Sequence, residues 1–249
     1  MNIRTLASAV LVLIVIAGGL IYFESGLIKA ESISHSYRYS VILDPLGSIH
    51  NATIMVPVGV VNGYSPVADA IEHGAMSGVP DGWHLMLLTS NDSIYLKITA
   101  TEMKGRNNPV PVPIQVKEGV EIPIDDGIIY PVKLETTLDS ESEIDTRSPF
   151  GKEPLLEPKY NLTGIHCGFP HPEDMQVSCS RYTIPLYCSY TAEDNATLSI
   201  EVLMEGENTW WLGGWTGNSY SDRVNINFKG PQDGWNTAEG SFIYGLGRY

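Results

Sequence analysis

The chain has 249 residues, with 15 Lys and Arg against 29 Asp and Glu and a formal net charge of −14. Binding to nucleic acid takes clustered Lys and Arg against phosphate, and no basic run exists here, so nucleic acid is set aside as a partner. A content of 43% hydrophobic and 18% charged residues sets aside wholesale disorder, and 24 Gly, 16 Pro and 13 Tyr suit many short strands better than a helical bundle.

Residues 1–5 form a short tip carrying Arg4, and Leu6 to Phe23 follow as an uninterrupted uncharged stretch, LASAVLVLIVIAGGLIYF. At ~1.5 Å per residue this makes a helix of roughly 27 Å, close to the ~30 Å hydrocarbon core of a bilayer. Gly18 and Gly19 are better tolerated in membrane helices than in soluble ones, and Tyr22 and Phe23 stand where interfacial aromatics stand. Arg4 lies before the stretch and Glu24 right after it, so the expected topology keeps the N-terminus cytoplasmic and the body extracellular. A cleaved signal peptide competes with this reading, but Ile28-Lys29-Ala30 is a poor cleavage site. The expectation is an uncleaved signal anchor over residues 6–23 and a linker over residues 24–33. A pilin-like subunit would share the apolar leader, but the charged, glycine-containing processing site of such leaders is missing.

From Ser34 the pattern changes to period two, which marks half-buried strands. Tyr37, Tyr39, Val41 and Leu43 alternate with Arg38, Ser40 and Ile42. The turn Asp44-Pro45-Leu46-Gly47 then sends the chain back along Ile54, Val56, Val58 and Val60, predicting a first hairpin. Ser65-Pro66 opens a short helix that Gly74 and Gly78 end. A second hairpin runs from Trp83 to Leu88 and back along Ile94, Leu96 and Ile98. Pro109, Pro111 and Pro113 read as an extended edge. Residues 136–161 are polar and Pro-containing, either a long surface excursion or the join between two β subdomains. A third hairpin runs from Tyr182 to Tyr190 and back along Leu198 to Met204, and Asn225 to Phe228 belong to a late strand before the turn Gly230-Pro231. The expected fold class is therefore all-β, a β-sandwich-like extracellular domain over residues 34–249 behind one transmembrane helix.

Four Asn-x-Ser/Thr sequons, at Asn51, Asn91, Asn161 and Asn195, fall at hairpin tips or beside turns, where glycosylation of an exported chain needs them. Asn also favours turns for its own reasons. Of the cysteines Cys167, Cys179 and Cys188, two are expected to pair in an oxidising compartment. Cys167–Cys179 is the favoured pair, with Cys188 either a buried odd thiol or an alternative partner. A zinc site from His166, Cys167, His171, Cys179 and Cys188 lacks the short paired spacings of known modules.

Asp139, Glu141, Glu143 and Asp145 alternate, so on an extended segment their carboxylates would share a face and could hold Ca²⁺. A solvated acidic loop is the plainer reading. Trp210, Trp211 and Trp215, interleaved with Gly213 and Gly214, could build an aromatic platform for sugar rings or fill space between sheets. Catalytic serine, zinc-protease, phosphate-loop and dinucleotide motifs are all missing, and nothing implies a cofactor.

Several segments taken together, Tyr37-Arg38-Tyr39-Ser40-Val41, Asn51-Ala52-Thr53-Ile54-Met55-Val56-Pro57, Ile144-Asp145-Thr146-Arg147, Glu153-Pro154, Pro158-Lys159-Tyr160-Asn161 and Gly213-Gly214-Trp215-Thr216-Gly217-Asn218, behind an N-terminal anchor, give the chain its character. In this order of features it resembles a loosely defined set of archaeal membrane-anchored cell-surface proteins. That resemblance implies an archaeal envelope and assigns no activity and no residue role. The expected function is binding or envelope architecture without catalysis, with membrane lipid as a partner through residues 6–23 and envelope proteins or glycans as further ones. The alternatives are a carbohydrate-binding module using the three Trp, and an exported hydrolase with a pair of facing carboxylates.

Overall fold

The computed structural model describes residues 30–90, 93–104, 131–170 and 176–249. The apolar stretch 6–23, the sequon at Asn91, the Pro-alternating segment 109–113 and His171 lie outside the described residues. In chain order the elements are β1 (Ser34–Leu46), β2 (Ile49–Pro57), β3 (Gly59–Val60), α1 (Pro66–Glu72), β4 (His84–Ser90), β5 (Ser93–Met103) and β6 (Val132–Asp139). They continue with β7 (Leu155–Leu156), β8 (Tyr160–Ile165), β9 (Ser178–Ala192), β10 (Thr197–Trp211), β11 (Trp215–Lys229) and β12 (Gln232–Gly247). Among these residues no helix is long and apolar enough to cross a membrane.

Ten strands join in one antiparallel sheet, in the order β4-β5-β2-β9-β12-β11-β10-β1-β6, with β8 added beside β9. β9 carries two partners on one edge: β8 along Cys179 to Thr183 and β2 along Tyr187 to Ala192. Pro185, which has no N–H to donate, stands in the gap between them. The long strands follow the alternation read from the sequence, with breaks at Ser40 of β1 and at Tyr95–Leu96 of β5. In β10, Leu198, Ile200, Val202 and Met204 are buried while Ser199, Glu201, Leu203 and Glu205 are half-exposed. The all-β expectation is met, and so are the helix, the β4–β5 hairpin and the late strand.

The first and third expected hairpins are corrected. β1 pairs with β10 and β6, whereas β2 pairs with β5 and β9, so the two strands around Asp44-Pro45-Leu46-Gly47 share no ladder. Likewise β9 and β10, joined through Glu193 to Ala196, lie three places apart in the sheet. Connection length explains the geometry. Gly47 and Ser48 alone link β1 to β2, which holds Leu46 and Ile49 within about 11 Å of each other. That matches the ~10 Å between facing sheet layers. The sheet therefore curls until β1 faces β2 and β9 faces β10, and the Tyr39 hydroxyl of β1 reaches across to donate to the Pro57 carbonyl of β2 at 3.0 Å. At the curl, β11 and β12 are in register from Asn218 to Asn225 against Glu239 to Gly247, and this register stops short of the Gly230-Pro231 turn. The layers of the expected sandwich are thus two halves of one continuous sheet.

Helix α1 starts where expected, with the Ser65 side chain accepting from the Ala68 N–H at 3.0 Å and Pro66 in the first turn. Its downstream segment returns to the far edge of the sheet, where Ser77 exchanges backbone bonds with Glu135 of β6. Residues 140–159 are neither helix nor long strand. They run as a strap over the inner face of the sheet, burying Ile144, Thr146, Glu153, Leu155 and Leu156 while Glu141, Glu143, Arg147, Phe150 and Lys152 stay exposed, with β7 pairing to β3.

Candidate functional site

The strap meets the sheet through polar groups that occupy inward positions of the alternation. Asp222 of β11 is fully buried, in phase with Tyr220, Val224 and Phe228. Its carboxylate accepts from the Tyr182 hydroxyl at 2.5 Å, the Leu156 N–H at 2.8 Å and the Lys159 ammonium at 2.7 Å. The Lys159 side chain is 5% exposed, donates also to the Leu156 carbonyl at 2.5 Å, and lies 4.8 Å above the Tyr182 ring. Gly240 stands directly across the ladder from Tyr182, and a Cβ there would come within 2.2–2.7 Å of ring carbons. Glycine is what lets the ring lie flat over β12. Gly206 does the same for the Tyr220 ring in the next hairpin, and the Tyr220 hydroxyl then donates to the Pro154 carbonyl at 2.8 Å.

A second set of contacts fixes the start of the strap. Asn208 and Asn218 face each other across β10 and β11 and are buried. Asn208 accepts from the Ile144 N–H at 2.9 Å and donates to the Ile144 carbonyl at 2.8 Å, treating that residue as another strand would. It also donates to the Asn218 side-chain oxygen at 2.7 Å, which accepts a further bond from the Thr146 hydroxyl at 2.7 Å. Glu153 is buried and accepts from the Tyr37 hydroxyl and from the Asp145 N–H at 2.7 Å. Burial, followed by the neighbouring Asp222 carboxylate, pushes the Tyr182 hydroxyl far above its ordinary value; burial foremost does the same to Tyr220 and Tyr37. All three stay neutral and donate.

Chemically, this cluster holds a segment in place. Asp222 and Glu153 spend their oxygens on internal donors, and two shallow depressions on the surface are lined without any Asp or Glu. Asp145 is half-buried, which alone would raise its pKa; the Lys152 ammonium and the Ser148 N–H outweigh that and hold the carboxyl below its ordinary range. A general acid needs the opposite direction.

The tryptophans separate. Trp210 points inward and is 8% exposed, while Trp211 and Trp215 are 39% and 69% exposed and meet edge to face at 5.8 Å and 82°. The three rings therefore share no flat platform. Trp235 is also exposed, edge-on to Tyr95 and Tyr187 on the outer face of the sheet.

Cys167 and Cys179 are disulfide-bonded and Cys188 is free and buried, its thiol pushed up to about 12 by burial. Asp139, Glu141 and Glu143 are exposed, Ile144 turns inward between Glu143 and Asp145, and Asp145 is ion-paired with Lys152. Among the described residues no three His, Cys, Asp or Glu side chains gather as a cation site. Asn51, Asn161 and Asn195 are exposed. Asn51 and Asn161 sit in register shifts of β2 and β8 with φ of 53° and 55°, a conformation Asn adopts more readily than most residues.

Sequence reasoning missed Asp222, Lys159, Glu153, Asn208 and Asn218. Parity could have found the strand residues: Asn218, Tyr220 and Asp222 share the even numbering of Val224 and Phe228, and Asn208 that of Leu198 to Met204. Against known family models, curated proteins and solved structures, the chain finds no match.

Proposed function

We propose that the chain is a membrane-anchored cell-surface protein, held by Leu6 to Phe23, whose curled β domain faces the outside and serves in binding or envelope architecture. The observation that carries this reading is the Cys167–Cys179 bond downstream of an uncharged, membrane-length stretch. Disulfides persist in oxidising compartments, and a chain reaches one through a leader of this kind. Exposed Asn51, Asn161 and Asn195 are compatible with glycosylation there. The interior supports a non-catalytic role, because its charged groups are closed off from any substrate by the strap they hold.

The test uses the full chain in cells. Alkaline carbonate leaves it in the membrane pellet, external protease removes the domain from intact cells, and alkylation after denaturation labels one thiol, that of Cys188. Recovery in the soluble fraction with three reactive thiols overturns the reading.

A further inference from the structure

The β10–β11 hairpin ends in an apolar tip at the place where the chain joins the domain. From Thr209 to Tyr220 there is no charged residue. Trp211, Leu212 and Trp215 are all exposed there, and the turn closes with the Leu212 N–H on the Gly214 carbonyl at 2.9 Å while Gly213 takes a positive φ of 68°. The Trp211 N–H donates to the Ser32 hydroxyl at 2.8 Å, and Ser34 is in register with Thr209. Exposed Ile33 therefore belongs to the same patch. At the other end of the same 15-residue strands, roughly 45–50 Å away, the tip is Glu193-Asp194-Asn195, polar and exposed. The long axis of the domain thus has one end clustered with Trp and Leu and one end that is acidic and polar apart from a single exposed Leu46.

Phe23, the last residue of the uncharged stretch, is joined to Ser32 by residues 24–31. Even fully extended, that segment spans no more than roughly 30 Å. If Leu6 to Phe23 lies in a bilayer, the apolar tip is confined near that bilayer's surface. Tethering makes the encounter effectively intramolecular, so a weak surface preference suffices. Trp favours the interface, where its ring is shielded and its N–H remains wet. Glu31, Glu207 and Arg248 flank the patch with mixed charge, which selects no anionic lipid.

We infer that Trp211, Leu212 and Trp215 rest in the headgroup–acyl boundary of the membrane, fixing the domain upright with its Glu193–Asn195 end outward. This inference rests on the anchor reading above.

The experiment reconstitutes the full chain in phosphatidylcholine nanodiscs whose acyl chains carry bromine near the headgroup, and reads tryptophan fluorescence. Quenching is expected in the wild type. Trp211→Phe with Trp215→Phe loses most of that quenching, Trp235→Phe retains it, and near-ultraviolet circular dichroism verifies the fold of each. Leu212→Asp places a charge in the tip and relieves the quenching while the chain still co-isolates with the discs. A chain that co-isolates yet shows no quenching, or quenching that disappears only with Trp235→Phe, overturns the tip contact and leaves the anchor standing. A chain that does not co-isolate overturns both.

Discussion

Two halves of the interior are built on the same alternation and filled in different ways. Where β1 faces β2 and β9 faces β10, inward positions carry Val41, Leu43, Ile54, Val56, Ile184, Leu186, Ile200 and Val202, and side chains from the two layers fill the space themselves. Further along, the inward positions become Gly206, Asn208, Asn218, Tyr220, Asp222 and Gly240, and the space is filled by a length of backbone. Backbone brings N–H and C=O groups that need partners when buried. The polar inward residues supply them. The difference teaches that a polar residue in the buried phase of a strand can mark the seat of another chain segment, with no bearing on catalysis.

The largest expected effect comes from alkali, which reaches both halves at once. Tyr39 in the apolar half and Tyr182 and Tyr220 in the strap half all have hydroxyls raised above their ordinary value of 10.0 by burial. A raised folded value means the native state keeps protons that the unfolded chain gives up. These tyrosines therefore contribute fully below pH 10 and lose that contribution as pH climbs above it towards the folded values. The buried tyrosines' share of the tyrosinate absorbance, over and above that of exposed side chains such as Tyr64 and Tyr249, should appear in one step coincident with the loss of circular dichroism. Two separate steps would mean that the strap half opens on its own.

Asp222→Ala should cost about 3–5 kcal/mol in denaturant unfolding, because it leaves the buried Lys159 ammonium with only the more distant, partly exposed Glu157 carboxylate at 3.8 Å as a counter-charge. Lys159→Met combined with Asp222→Leu should recover most of that loss. If the double variant is as unstable as the single, the polar half owes its stability to the ion pair itself. Leu43→Ala in the apolar half should cost about 2–5 kcal/mol, set by the cavity it leaves. Combined with Asp222→Ala it should add to within about 0.5 kcal/mol, the behaviour of sites that share no partner. Strong non-additivity would erase the distinction between the halves. Gly240→Ala should cost about 1–3 kcal/mol, since the new methyl meets the Tyr182 ring that holds Asp222. Thermal melts beside Tyr182→Leu would separate steric displacement from loss of the hydrogen bond.

Elements dominated by local chemistry were legible in the sequence. Ser65-Pro66 capped a helix, and the alternation in Leu198 to Met204 gave a strand with the right face inward. Strand partners were less accessible. Asp44-Pro45-Leu46-Gly47 is as good a bend between layers as it is a hairpin turn, so turn chemistry alone put β1 against β2. The strap was illegible because its burial follows no period: Ile144, Thr146, Glu153 and Leu156 are spaced by the sites that receive them. The Trp-rich run stands out by its composition. Its division into one inward and two outward rings follows from Trp210 keeping the phase of β10 while Trp211 and Trp215 face each other across the tip.

The placement of β1 between β6 and β10 has a consequence for biogenesis. His35 meets its partner Asn208 across 173 residues of chain. At a synthesis rate of about 5–20 residues per second, the first strand waits roughly 9–35 s for that neighbour to be made. Before then only β2 and β6, made earlier, can cover its Tyr39, Val41 and Leu43. The sheet therefore closes only once the final third of the chain has been made, and its opening segment is the part exposed longest to aggregation.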